Sequence, residues 1–301
     1  MRSRILPIVL LLIIITLVGF SNYRNKRSGL PLVDPIPVSN SARMSEKLTA
    51  IDHWLSRLSK ERKFNGAILV SKNHKPDLMK TYGYEDLARE KPLTYQSSFR
   101  LGSVSKQFTA MAVMILNKQV KLKYDDPVQK YLPSFPYNDV TIRHLLTHTS
   151  GIADYMDLAL KEYFSLFAKI EFYMNQSMVN LFYEGEPSEY KNHYTVLSSS
   201  DVLNMVSKYS EKRLFSAGEK YLYSNTGYVI LSLVVETISG KTFESFLDQE
   251  IFIPLKMENS CFWNLFTKPG KLSNRVQGTN GNRLNDYSWM DGVSGDGCVF
   301  L

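Results

Sequence analysis

Apolar and polar positions along the chain fall into a few clear periods. Ile5 to Phe20 is apolar apart from Pro7, Thr16 and Gly19, and it follows Arg2 and Arg4. A short basic start before an apolar run predicts a signal peptide or a membrane anchor. Gly19-x-Ser21 offers a cleavage site, no cysteine follows that would make a lipoprotein, and the basic residues Arg24, Lys26 and Arg27 leave orientation open. Pro31, Pro35 and Pro37 among small residues make Ser28 to Asn40 an extended tether. These readings divide the chain into a leader or anchor over 1–22, a linker over 23–44 and a globular domain over 45–301.

Within that domain, Leu48, Ile51, Leu55 and Leu58 recur at helical spacing. GAILVSKN, Gly66 to Asn73, reads as a strand, and a turn around His74 to Asp77 leads to a second strand ending near Gly83 and Tyr84, so the two predict a hairpin. Val104, Phe108, Met111 and Ile115 mark the apolar stripe of a helix with Ser103 in its first turn. A Pro- and Tyr-rich loop follows over Lys121 to Pro136, then a helix from Val140 to Leu146 that stops at Thr149-Ser150-Gly151. Asp201 to Tyr209 and Thr226 to Ile238 are again helical, with Ser239-Gly240 as a stop, and Phe243 to Ile253 ends at Pro254. The order is a small sheet-forming start followed by a helical insertion, with no internal repeat.

Composition narrows the class. The 301 residues are 44% hydrophobic and 12% aromatic, enough to bury a core in one large or two modest domains. The net charge of +7 is misleading, because up to Met44 the bases Arg2, Arg4, Arg24, Lys26, Arg27 and Arg43 face only Asp34. The remainder is close to neutral, which argues against a nucleic-acid-binding face. Cys261 and Cys298 are the only cysteines. No disulfide framework holds the fold, and the two either pair in an oxidising compartment or stay thiols.

The chemistry centres on FRLGSVSKQF, residues 99 to 108, where Ser103 and Lys106 stand three apart at a helix start. Spacing of three puts both on one face. A serine hydroxyl needs a neighbour to take its proton, and a lysine does so once its amine is neutral. The serine amide at a helix start is also free to donate to a developing oxyanion. The pattern recurs at Ser188 and Lys191, but in the polar stretch EGEPSEYKNHY, which reads as a solvated loop. A Tyr-x-Asn pair supplies a proton shuttle and an amide that holds substrate. It occurs at Tyr23-Asn25, Tyr173-Asn175, Tyr190-Asn192 and Tyr223-Asn225, and only the last follows a Gly-containing turn and opens a helix. In an extended loop Tyr223 and Asn225 point the same way. His144 and His148 have metal-ligand spacing but no third ligand nearby, and they read as structural. Gly240-Lys241-Thr242 reads as a helix stop followed by a helix start.

Three blocks in order, FRLGSVSKQFTAMA, YDDPVQKYLP with TIRHLLTHTSGI, and GEKYLYSNTGYVILSLVVETISGKTFESFLDQEIFIPLKM, resemble the serine β-lactamase and penicillin-binding-protein superfamily. The resemblance runs from about Ala50 onward and lies on the side of class C enzymes, D-alanyl-D-alanine carboxypeptidase-like and esterase-like hydrolases. It implies an α/β fold in which an antiparallel sheet with flanking helices carries an all-helical domain, with the site in the cleft between them. It also implies that Ser103 is acylated, Lys106 is its base, Tyr223 shuttles the proton and Asn225 binds the substrate amide.

The family's third motif, Lys-Thr-Gly or His-x-Gly on a strand, is not present. Lys268-Pro269-Gly270 is the nearest approach and reads as a turn. SGDGCVFL resembles the family's Gly-Asp-Gly-Gly segment with Cys298 at the second glycine. Relatives continue beyond it, so the expectation is an incomplete sheet lacking a helix and strands. The resemblance implies a serine hydrolase acting on an amide, ester or β-lactam carbonyl without metal or organic cofactor. The implied partners are a small molecule or a cell-wall peptide, with no nucleic acid, and a membrane if the leader stays attached. The expected location is exported, periplasmic or extracellular. The rival readings are a membrane-tethered binding or regulatory pseudoenzyme and a truncated gene product.

Overall fold

The computed structural model describes residues 39, 42–86, 90–162, 197–264, 266, 274–276, 279–280, 283–284 and 292–301. The N-terminal apolar run lies outside them, and among the described residues no helix is long and apolar enough to cross a membrane. Contacts divide the chain into two units, Met1–Phe64 with Leu69–Met79, and Asn65–Ile68 with Lys80–Leu301.

In the first unit, α1 (Met44–Lys60) buries Leu55 and Leu58 and half-buries Leu48 and Ile51, so the predicted stripe is its covered side. Glu46 in the first turn accepts from the Arg43 amide at 3.1 Å, an acid placed where the helix N-terminus favours one. Strands β1 (Gly66–Lys72) and β2 (Lys75–Tyr82), whose ends away from the turn count with the second unit, form the predicted hairpin. Its turn falls on Asn73 and His74, with φ of 52° and 61°, slightly ahead of the predicted His74 to Asp77. A two-residue hairpin turn needs left-handed backbone at both central positions, and Asn tolerates it best after Gly.

The second unit continues with a short antiparallel pair, β3 (Tyr84–Asp86) and β4 (Lys91–Pro92). A 3-10 turn, Gly102–Ser105, runs into α2 (Lys106–Lys118), followed by α3 (Ile142–Leu146), α4 (Tyr155–Glu162), α5 (Ser199–Lys208), α6 (Asn225–Ser239) and α7 (Phe243–Leu247), which widens into a π turn over Asp248–Phe252. Short antiparallel pairs close the list: β5 (Cys261–Phe262) with β8 (Val299–Phe300), and β6 (Thr279–Asn280) with β7 (Arg283–Leu284).

Helix α6 is apolar on nearly every side, as a helix must be when it is covered all round. It buries Val229, Ile230, Leu231, Val234 and Val235 and packs on α2, α3, α5 and α7. Five such side chains stabilise by about 10 kcal/mol before chain entropy is subtracted, which puts α6 at the centre of the unit's core. Ser224 caps it by accepting from Gly227 N at 3.2 Å, and Gly240 ends it at φ 66°.

Helix α2 differs from its predicted stripe. Phe108 is buried and Ile115 half-buried, but Val104 and Met111 are exposed, at 57% and 43%, and the covered face is Lys106, Phe108, Thr109, Ala112, Val113 and Leu116. Both faces are apolar at helical spacing, so contact with α6 chose between them. Phe108 meets Phe252 edge to face at 5.3 Å.

Residues 99–101 pair with 299–301 through Phe99 N to Leu301 O at 2.8 Å, Leu101 N to Val299 O at 3.0 Å and Leu301 N to Phe99 O at 3.2 Å. With β5 on the other side of β8, they make a three-ply antiparallel ribbon that feeds the chain into the Gly102–Ser105 turn. No disulfide joins Cys261 and Cys298, and Cys298 is buried with the Arg100 guanidinium 3.1 Å from its sulfur.

Candidate active site

Gly102 carries φ +53°, which turns the extended ribbon into the helical turn. A Cβ there would meet nothing within 4 Å, so the dihedral rather than space calls for glycine. Ser103 follows, exposed, and Lys106 lies one turn on at 7% exposure.

The four sequence-predicted residues meet at one point. Tyr223 Oη donates to Ser103 Oγ at 2.7 Å, and Lys106 Nζ stands 3.4 Å from the same oxygen. Lys106 also donates to Asn225 Oδ1 at 2.9 Å and to the Asp296 carbonyl at 3.0 Å. A buried amine needs acceptors for its protons, and three oxygens surround this one. The rings of Tyr223 and Tyr228 add their faces at 5.0 and 5.5 Å. Extended Ser224, φ −136° and ψ 120°, sends Tyr223 and Asn225 the same way, and Asn225 is the first residue of α6.

Several supporting residues escaped the sequence reading. Asp154 Oδ2 accepts from both Asn225 N at 3.0 Å and Asn225 Nδ2 at 3.1 Å, which fixes the amide so that its oxygen faces Lys106. Residues 294–299 form a strap behind the Gly102–Ser105 turn: Thr109 Oγ1 donates to Gly295 O at 2.6 Å, Arg100 Nε to Gly297 O at 3.1 Å, and Val299 N to Ser105 Oγ at 3.1 Å. Inside it, Asp296 Oδ2 accepts from Tyr155 Oη at 2.9 Å, while Oδ1 is buried without a partner among the described residues. Burial raises the Asp296 carboxyl to about 6, against the opposing pull of Lys106 and the Tyr155 hydrogen bond. Burial, and then the Asp296 charge, push the Tyr155 phenol well above its usual value. The only signal for Asp296 in the sequence was the Gly-Asp-Gly run, and Asp154 had none.

The two histidines have separate tasks. His144 lies in α3, and its Nδ1 accepts from Thr141 N at 3.2 Å, capping that helix. His148 lies beyond α3 at φ 58°, so the shared helical face that metal spacing assumes is absent. Its Nδ1 accepts from Ser224 N at 3.1 Å, and its ring lies 4.5 Å from Tyr223 and 5.1 Å from Tyr228. Burial, and then the charge of Lys106, hold its imidazole below the usual value. Among the described residues no cluster of three acids, histidines or cysteines is placed to hold a metal. Gly240 ends α6 and Thr242 caps α7, as the stop-and-start reading required. The second Ser-x-x-Lys, the other three Tyr-x-Asn pairs and Lys268-Pro269-Gly270 lie outside the described residues.

Ser103 thus stands at the head of a helix between a phenol and an amine, beside an oriented amide. The Beta-lactamase family model matches residues 51–286, and the chain belongs to that family. It is 30% identical over 255 residues to penicillin-binding protein 4* of Bacillus subtilis, covering 80% of this chain and 50% of that protein. It is 25% identical over 202 residues to the teichoic acid D-alanine hydrolase of Staphylococcus aureus, covering 67% and 42%. The crystal structure of a penicillin-binding protein from Bacillus halodurans superposes with a TM-score of 0.61 at 26% identity, over 82% of this chain and 69% of that one. The chain thus spans about half the length of the curated relatives it matches.

Proposed function

We propose that the protein is a serine hydrolase that works through an acyl-enzyme on Ser103. The observation that carries this is the convergence of a phenol and an amine on one hydroxyl oxygen, Tyr223 Oη at 2.7 Å and Lys106 Nζ at 3.4 Å. In the reaction, Ser103 Oγ attacks a carbonyl carbon while its proton passes to the Lys106 amine in its neutral form, from which Tyr223 can relay it. The Ser103 amide, in a first helical turn with no intrahelical acceptor, steadies the oxyanion. The carbonyl then re-forms, the bond to the leaving nitrogen or oxygen breaks, and Tyr223 returns the proton to the leaving group. Water adds to the ester and releases the acid, restoring Ser103. Asn225, held by Asp154, donates or accepts at the substrate amide. These steps draw on no metal or organic cofactor.

The substrate class is an amide, ester or β-lactam carbonyl. The names of the relatives, a penicillin-binding protein and a teichoic acid D-alanine hydrolase, favour a D-alanyl carbonyl of the cell envelope. Residues 1–22, as a cleaved leader or a retained anchor, and the linker over 23–44 would bring the domain to the outer side of the membrane.

The test labels the protein with a fluorescent penicillin and a fluorophosphonate, beside Ser103→Ala. Label on the native chain that vanishes in the variant is expected. A folded native chain that takes up neither probe, or label that persists in Ser103→Ala, overturns the reading.

A further inference from the structure

We propose that His148 is the positioning residue of the Tyr223 loop, and that it holds Tyr223 against Ser103 only while its imidazole is neutral, so that acylation fails on the acid side of neutrality. This rests on the acyl-enzyme reading above.

Three contacts from this one residue bracket Tyr223. The His148 carbonyl accepts from Leu222 N at 2.9 Å, its Nδ1 accepts from Ser224 N at 3.1 Å, and its ring lies on the Tyr223 ring at 4.5 Å. The residue before Tyr223, the residue after it and its own side chain are all tied to the same point. Holding its carbonyl and its ring on the loop together places His148 in the left-handed region, φ 58°. That conformation is uncommon for a residue with a Cβ and persists where the surroundings over-determine it.

The charge state follows from the donor. A backbone N–H can only donate, so the Nδ1 facing Ser224 carries no proton and the imidazole is neutral with its hydrogen on Nε2. Protonation would set two N–H groups against each other and add a second cation beside Lys106. The titratable groups that face the ring are Lys106 from α2, Tyr221 and Tyr223 from the loop, and Tyr228 from α6. None is an acid ionised near neutrality that would hold the imidazolium by charge. Burial and Lys106 shift the ring in the same direction. The group's pKa is lower in the folded state, so its support is present above the unfolded value and is lost as pH falls through the folded one.

The experiment follows Ser103 acylation by a fluorescent penicillin from about pH 5 to about pH 8 in the native chain, His148→Asn and His148→Gly. Asn tolerates left-handed backbone and presents a carbonyl oxygen that does not titrate. The native rate should fall about tenfold or more toward the acid end. His148→Asn should lose that limb, and His148→Gly, which suits the backbone but has no acceptor, should be slower by about tenfold at every pH. An acid limb that survives in His148→Asn, or a native rate in His148→Gly, overturns the proposal. In parallel, NMR follows His148 Cε1–H and the Ser224 amide of the native chain through the same pH range, independent of turnover. Both should shift with one midpoint below the usual imidazole value. A Ser224 amide that ignores the titration, or a midpoint at or above that value, overturns the proposal. Failure of the hydrolase reading looks different: no Ser103-dependent label at any pH, with the NMR result still deciding the role of His148 at Ser224.

Discussion

Tyr223 Oη lies 2.7 Å from Ser103 Oγ although 120 residues separate them in sequence. The phenol is hydrogen-bonded to the Ser103 hydroxyl, while its ring is packed by His148 and faced by Lys106 at 5.0 Å. Removing the hydroxyl alone leaves those ring contacts in place. Tyr223→Phe is therefore expected to slow Ser103 acylation by about a hundredfold or more and to change stability by no more than about 0.5 kcal/mol. Stopped-flow acylation and a urea melt of the same sample check both halves.

Asp154 decides which end of the Asn225 amide faces Lys106, because one carboxylate oxygen accepts from the Asn225 backbone and side chain together. It also sits at the start of α6, where an acid is favoured. In Asp154→Ala the Asn225 NH2 loses its acceptor, and Lys106 alone holds the amide, by its oxygen. Acylation efficiency should fall about tenfold, and stability by about 1–3 kcal/mol. Rate against probe concentration separates loss of affinity from loss of rate, and an unchanged efficiency would remove Asp154 from the site.

The Asp296 carboxyl, raised from 3.8 to about 6, makes stability depend on pH in an unusual sense for an acid. The folded state holds the proton more tightly than the unfolded chain. The contribution is fully present below the unfolded value near 3.8 and is lost as pH rises through about 6. About two units correspond to roughly 3 kcal/mol. Other carboxylates run the opposite way: Asp126 is lowered to about 2, first by its hydrogen bond from Tyr131. The readable quantity is thus the difference between the native chain and Asp296→Asn in urea midpoint across pH 4 to 7. The native midpoint should fall relative to that of Asp296→Asn as pH rises, and a flat difference would contradict the burial argument.

Gly295 lies at φ +96°, and a Cβ on it would come 2.2 Å from Tyr228 O and 3.0 Å from Ser232 Cβ. Neither backbone nor α6 can give way, and the Gly295 carbonyl already holds Thr109. Gly295→Ala should cost about 2–4 kcal/mol and, by moving the adjacent Asp296 carbonyl off Lys106 Nζ, should also slow acylation. Thermal unfolding and penicillin labelling of the surviving folded fraction test the two effects separately.

Much of the site was legible before the structure because its signals are local. Ser103 and Lys106 are three apart in one turn, and apolar periods placed α1, α5 and α6 close to their observed ends. What local pattern could not resolve was orientation: α2 is apolar on two faces, and its stripe of Val104 and Met111 proved to be the exposed one. The same limit explains His144 and His148, whose spacing is that of one helical face until the left-handed turn at His148 takes the second histidine off the helix.

By itself the sequence determined the order of elements, the family and the serine and lysine on one turn, since each depends on residues near one another in the chain. Only the tertiary structure decided that Asp154, His148, Tyr155 and Asp296 support them. Those contacts join residues from 71 to 190 positions apart, and they form because helix α6 and the 294–299 strap pack there, which no local period encodes.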